Sequence, residues 1–225
     1  MIAKAVFIVL AAGSGKRFGG AVPKQYLRWR ARPLLYWSLA NAAKAHRFLT
    51  RVVIALPKGD SLAGLKARGC IPAGFPLEIV TVTGAATRFG SLKKALRGAG
   101  DADFIFVHDA ARPNWPAAWI GGMLKFLAHR KAAGAVPVSA VRETVKWVNG
   151  SLTTVPDRRL LHFSQTPQLA RAQDLARALA KSREDVYLDE AQILETAGFK
   201  VLPYPGDPLN IKVTYPGDLR LLVRR

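Results

Sequence analysis

Cysteine is almost absent: Cys70 is the single one in 225 residues. No internal disulfide can form, so the fold must rest on its core, and the usage suits a reducing cytosol. Cys70 has no histidine near it in sequence and gives no sign of a thiol site. No run approaches the ~20 apolar residues that a membrane span needs. The short apolar run near the N-terminus ends in a glycine-rich loop rather than a cleavage site, which argues against a secretory signal. A cytoplasmic protein is expected. Acidic residues are also scarce, 15 against 34 Lys and Arg, for a net charge of +19. Such a surplus raises a basic nucleic-acid-binding protein as one reading. The cations are dispersed, however, many at helical surface spacings such as Lys93, Lys94 and Arg97. No basic tail, zinc-ligand spacing or RNP-type aromatic motif accompanies them. A solvated basic surface is the simpler reading, and its field also attracts polyphosphates. Repeats and low-complexity segments are missing. The length buries on the order of 70–75% of the unfolded surface and fits a single domain over 1–225.

What is present is concentrated near the start. Ala5–Leu10 reads as a buried strand and runs directly into Ala11-Ala12-Gly13-Ser14-Gly15-Lys16-Arg17-Phe18-Gly19, with Pro23-Lys24-Gln25 just beyond. Small residues let a backbone approach a ligand, and successive N–H groups cradle an anion. A Walker A loop needs glycine and Ser/Thr where Leu10 and Arg17 stand. A dinucleotide fingerprint needs a third glycine where Phe18 stands. What remains is Gly-x-Gly-x-Arg followed by Pro-Lys, a pattern that resembles nucleotidylyltransferases. It sits at the carboxyl end of a strand, where open α/β sheets bind ligands.

Apolar runs then alternate with helical patterns. Strands are expected at Arg51–Leu56, Leu77–Val82, Asp103–His108 and Gly134–Ser139. Helices are expected at Pro33–Arg47, Thr87–Gly98, Pro116–Lys131, Ala172–Lys181 and Leu188–Ala197. Pro33 and Pro116 suit first turns of helices, and Gly198 suits a stop. The alternation predicts a three-layer, Rossmann-like α/β fold on a largely parallel sheet. The segment 140–158 breaks the rhythm. It alternates, turns at Asn149-Gly150 and continues, the strongest short hairpin signal. A lone hairpin is marginal, so this arm must pack on something, a second subunit being one choice and its own domain the other.

Asp109 follows the run Phe104–Val107 and is placed to hold Mg²⁺ on a nucleotide's phosphates, or else to cap the next turn. Arg112 suits a bidentate phosphate contact. His108 reads as structural, because attack by a phosphate oxygen needs no base. Asn210–Thr214 alternates like a strand. Gln165–Gln168 offers a hydroxyl and two amides, and Arg158 and Arg159 follow the hairpin.

Together these segments resemble the 2-C-methyl-D-erythritol 4-phosphate cytidylyltransferase family. The motifs are LAAGSGKRFG…PKQY, VHDAARP, RETVK, QTPQ, DEA and NIKVT, in that order over nearly the whole chain. The resemblance implies transfer of CMP from CTP to the erythritol phosphate with release of pyrophosphate, Mg²⁺, and a homodimer whose arms interlock. It implies that Ala11, Ala12, Gly13, Gly15 and Ser91 hold CTP, and that Arg17 and Lys24 stabilise charge at the α-phosphorus. It places Asp109 by the metal and the sugar hydroxyls, and Arg112, Thr144, Arg158, Thr166 and Lys212 in the acceptor pocket. Arg158 and Lys212 would position the attacking phosphate, with Thr144 and Arg158 reaching over from the partner. Two departures stand out: Leu188 where the family has Thr, and Ala85-Ala86 where it commonly has glycine and an acidic residue. The alternative within the same chemistry is a ribitol 5-phosphate cytidylyltransferase.

Overall fold

The β-branched and aromatic runs become the strands of one central sheet, because both faces are covered by helices and a strand there can be apolar throughout. The computed structural model describes residues 4–13, 18, 22–155, 157–182 and 187–223. In chain order the strands are β1 (Ala5–Leu10), the two-residue pair β2 (Arg28–Trp29) and β3 (Arg32–Pro33), β4 (Arg51–Leu56), β5 (Glu78–Thr83), β6 (Phe104–Asp109), β7 (Gly134–Ala140), β8 (Lys146–Val148), β9 (Leu152–Thr154), β10 (His162–Ser164), β11 (Gln168–Arg171) and β12 (Val201–Pro205). The α-helices are α1 (Leu34–Lys44), α2 (Leu62–Ala67), α3 (Arg88–Leu96), α4 (Ala118–Ala128), α5 (Ala172–Lys181) and α6 (Glu190–Thr196).

The sheet runs β5-β4-β1-β6-β11-β7, with β12 on the far side of β7. Pairings among β5, β4, β1 and β6 are parallel, and β11 is antiparallel to both neighbours. β10 pairs with β7 on the same side as β11, since Val138 meets both Ser164 and Pro205. Residues alternate between the layers, as a strand's period of two requires. Phe7 and Val9 face Leu35, Leu39, Ile120 and Met123 of α1 and α4. Val6 and Ile8 face Phe89, Leu92, Leu175 and Ile193 of α3, α5 and α6. The three-layer, largely parallel α/β fold expected from the alternation is the fold observed.

The hairpin forms as its turn residues require. Lys146–Val148 pairs with Leu152–Thr154, and Gly150 adopts φ +72°, the left-handed value such a turn needs. It is a two-stranded sheet of its own with every strand residue exposed.

Several expectations need correction. Pro33 and Pro116 precede their helices instead of opening them; Pro33 is the extended N-cap of α1. Asn210–Thr214 alternates but joins no ladder. Its backbone and side chains are taken up by loop contacts, among them Val213 N–H on Ala111 O at 2.9 Å and Asn210 Nδ2 on Thr166 O at 2.9 Å. β12 and α2 were not foreseen, the first because two prolines interrupt its pattern and the second because it is a short turn of helix.

Candidate active site

β1 pairs with β4 on one side and β6 on the other, and the chain crosses from one half of the sheet to the other between them. In register, Leu10 lies opposite Asp109. The loop leaving β1 and the end of β6 therefore part at a topological switch point, where an open α/β sheet leaves a crevice. A cleft of about 180 Å³ opens there. It is lined by the Ala11–Gly13 loop, Lys24, Gln25, the Ala85–Arg88 turn, Ser91, Asp109 and Lys212.

One wall is the turn between β5 and α3. Only glycine fits at 84: an added Cβ would stand 2.3 Å from the Ala12 Cβ. The two loops are thus in close contact, and the cleft lies over that contact. Ser91 accepts the Ala85 N–H at 2.9 Å and donates to Thr87 O at 2.9 Å. Its hydroxyl shapes the turn that carries Ala85 and Ala86, which with Leu188 depart from the family pattern.

The floor is ionic. Lys212 Nζ donates to Asp109 Oδ2 at 2.6 Å, and Arg88 Nε to Oδ1 at 3.2 Å. The Arg88 fork is held by both oxygens of Glu190 at 2.6 and 2.9 Å. Burial works against the charge on Asp109, but Arg88, Lys212 and Arg112 outweigh it and hold the carboxyl well below the usual carboxylate range. Burial pushes Glu190 up, against the pull of Arg88. Burial also works against the charge of Arg88, and its two carboxylate partners more than restore it. Among the described lining residues Asp109 is the one carboxylate, against three cations, Lys24, Arg88 and Lys212.

Behind Asp109 a neutral histidine organises the end of β6. His108 is fully buried, and burial lowers it to about 3 despite the neighbouring Asp109. Nε2 faces the Arg112 carbonyl at 3.1 Å, so Nε2 carries the proton. Nδ1 then accepts from the Thr166 hydroxyl, whose oxygen takes the Asp109 N–H, both at 3.1 Å. Thr166 and Arg112 do not line the cleft; Thr166 is buried behind Asp109, its hydroxyl 3.1 Å from the Asp109 backbone nitrogen. Arg112 donates to the carbonyls of Asn210 and Ser164 at 2.9 and 3.1 Å, leaving Nε without a partner among the described residues.

The remaining expected residues fall in two places. Lys24 lines the cleft, with Nζ 3.4 Å from Val213 O. Gly15 and Arg17 lie outside the described residues. Thr144 and Arg158 line a separate cleft at the foot of the hairpin, where Arg158 donates to Arg142 O at 2.9 Å. That cleft shares no lining residue with the one at Asp109. Leu188 is 82% exposed. Two residues escaped the sequence reading. Arg88 looks like surface charge on a helix, and Gln25, 3% exposed with an unpartnered Nε2, carries no mark of burial in sequence.

A model of the 2-C-methyl-D-erythritol 4-phosphate cytidylyltransferase family matches residues 5–222. The chain belongs to this family and is a nucleotidyltransferase. Similar proteins bearing the family's name include one from Dechloromonas aromatica, 39% identical over 95% of this chain and 93% of its own length. Another, from Bordetella petrii, is 36% identical over 96% of each. The solved cytidylyltransferase from Thermus thermophilus superposes with a TM-score of 0.75 at 30% identity, over 95% of both chains. Membership displaces the nucleic-acid reading, and the erythritol name carried by these relatives does not favour the ribitol alternative. Among the described residues no helix is long and apolar enough to cross a membrane.

Proposed function

We propose that the cleft at Asp109 transfers CMP from CTP to 2-C-methyl-D-erythritol 4-phosphate. The observation that carries this reading is the meeting of the Ala11–Gly13 loop, Lys24, Asp109 and Lys212 in one crevice at the switch point. An oxygen of the acceptor phosphate attacks the α-phosphorus of CTP in line. The new P–O bond forms as the bond to pyrophosphate breaks, and no proton need move. Two anions must be brought together, so the barrier is electrostatic and positional. The amides of residues 11–13 and 15 hold the triphosphate, and Ser91 holds the turn that faces the base. Arg17 and Lys24 stabilise charge at the α-phosphorus. Lys212 turns from Asp109 to the attacking phosphate, while Thr166 and Arg112 fix the acceptor side.

Mg²⁺ fits this donor set. It is commonly bound by one or two carboxylates plus substrate phosphates. Asp109 supplies one carboxylate, and the described residues hold no preformed cluster of three acidic, histidine or cysteine ligands. When bound there, the ion supplies charge neutralisation on the phosphates.

Around the hairpin, Trp147, Val148, Leu152, Leu160 and Phe163 are 61–79% exposed. Five large apolar side chains in one region are an interface waiting for a partner. A second copy of the chain covers them in this reading, and its arm brings Thr144 and Arg158 to the neighbouring cleft. The test is pyrophosphate release with Mg²⁺ and CTP, comparing the erythritol and ribitol phosphates. Release with the erythritol substrate alone is expected. Release with the ribitol substrate alone would make Leu188 a specificity marker and overturn the assignment.

A further inference from the structure

Arg88 occupies a costly position. It is the first residue of α3, where the helix dipole opposes a cation, and no acidic residue lies in that first turn. Its pairing with Glu190 is buried, and buried ion pairs often contribute little net stability. What such a pair can supply beyond stability is a fixed orientation.

The geometry points to direction. A guanidinium is planar, so fixing its fork fixes where Nε points. Glu190 takes both fork nitrogens and leaves Nε on Asp109 Oδ1. Glu190 is itself held at the start of α6. The preceding Asp189 caps Gln192 N–H at 3.0 Å and accepts from Ser164 Oγ and Gln168 Nε2 at 2.7 and 3.0 Å. Gln168 Oε1 accepts the Ala191 N–H at 3.0 Å. The chain of contacts therefore runs from the sheet through Asp189 and Glu190 to the guanidinium, and on to the carboxylate.

The two partners of Asp109 differ in freedom. The Glu190 side chain is 2% exposed and Arg88 25%, whereas Lys212 is 34% exposed and reaches Asp109 from an extended segment outside the sheet. An anionic substrate draws Lys212 away and cannot draw Arg88, whose fork is taken. We infer that Arg88 is a positioning residue, held by Glu190, that keeps the Asp109 carboxylate in one orientation while Lys212 turns to the substrate phosphate. This rests on the transfer reaction proposed above and adds to it Arg88, which no motif marks, and a role for the glutamate of the DEA motif.

The experiment uses Glu190→Gln, Arg88→Lys and Arg88→Ala in the full chain. Because small displacements of an oriented group can cost ~100-fold, Glu190→Gln and Arg88→Lys are expected to lower kcat about 10–100-fold with the KM for CTP within about threefold. Lysine keeps the charge but cannot reach Glu190 and Asp109 together, so it should not rescue. Guanidinium ion added to Arg88→Ala should restore part of the rate. A separate readout is the crystal structure of Glu190→Gln, in which the Asp109 carboxylate should be rotated and Arg88 Nε beyond hydrogen-bond reach of it. A lower melting temperature with unchanged kcat per folded enzyme, or an Asp109 that stays in place, would overturn the inference. Should the unmodified protein show no turnover while Asp109 still rotates in the variant, the positioning stands and the transfer reading alone fails.

Discussion

His108 should make this protein acid-labile well above the range in which carboxylates titrate. Its ordinary value of 6.5 is lowered to about 3 by burial. The unfolded chain gains a proton there as pH falls through 6.5, and the folded chain does not until about 3. Stability is therefore fully present above 6.5 and is lost progressively below it. At about 1.4 kcal/mol per unit, the whole depression is worth about 5 kcal/mol, of which about 2 kcal/mol is already gone at pH 5. The geometry gives the same sign. Protonated His108 would turn Nδ1 into a donor facing the Thr166 hydroxyl, which already receives the Asp109 N–H. The assay is urea unfolding between pH 7.5 and 5 for the parent and for His108→Asn. The other three histidines are exposed and are common to both proteins. The parent should lose about 2 kcal/mol more than the variant over that interval. Equal slopes, or a His108 ring signal titrating near 6.5 by NMR, would refute the reasoning.

Lys24→Ala should depress turnover by about 10²–10³ while CTP binding by calorimetry changes little, because its charge matters most where charge develops. A parallel loss of binding would make Lys24 a ground-state contact. Trp147→Ser with Leu160→Ser should shift the protein to monomer in sedimentation and abolish activity together. If the sites are shared between subunits, mixing the inactive Lys24→Ala and Arg158→Ala variants restores activity, since each mixed dimer holds one site with neither defect. No recovery on mixing would place Arg158 in its own chain's site.

The parts of the site visible in the sequence are those whose chemistry sits in a short run at a strand's end. The loop after β1 combines an apolar strand, glycines and cations within a few residues, and Asp109 closes an equally plain strand. Lys212 became visible only through the family motif, because a lysine in an alternating segment reads as solvent-facing; here the segment is no strand at all, and the side chain crosses to Asp109. Arg88 and Glu190 are 102 residues apart. Glu190 stands in the DEA motif but nothing local marks Arg88, and the pairing exists only once α3 and α6 pack on the same side of the sheet. Ser91 was expected at the nucleotide and lines the cleft, yet its hydroxyl is engaged with the Ala85–Thr87 turn. Those bonds hold the backbone of the turn, which no side-chain pattern encodes.

That difference bears on the two departures from the family. Ala85 and Ala86 lie in the turn that Ser91 braces, while Gly84, which cannot bear a side chain against Ala12, is retained. The close contact between the two loops is thus intact, and the changed residues lie beside it in the cleft lining. Leu188 sits on the opposite side of the problem. It is exposed beside Asp189, the cap that anchors Glu190 through its carboxylate, and Leu188 itself donates only its backbone N–H, to Gln192 Oε1 at 2.7 Å. A leucine in place of a hydroxyl residue there does not touch the Asp189–Glu190–Arg88 line. Both departures leave the ionic contacts among Arg88, Glu190, Asp109 and Lys212 in place.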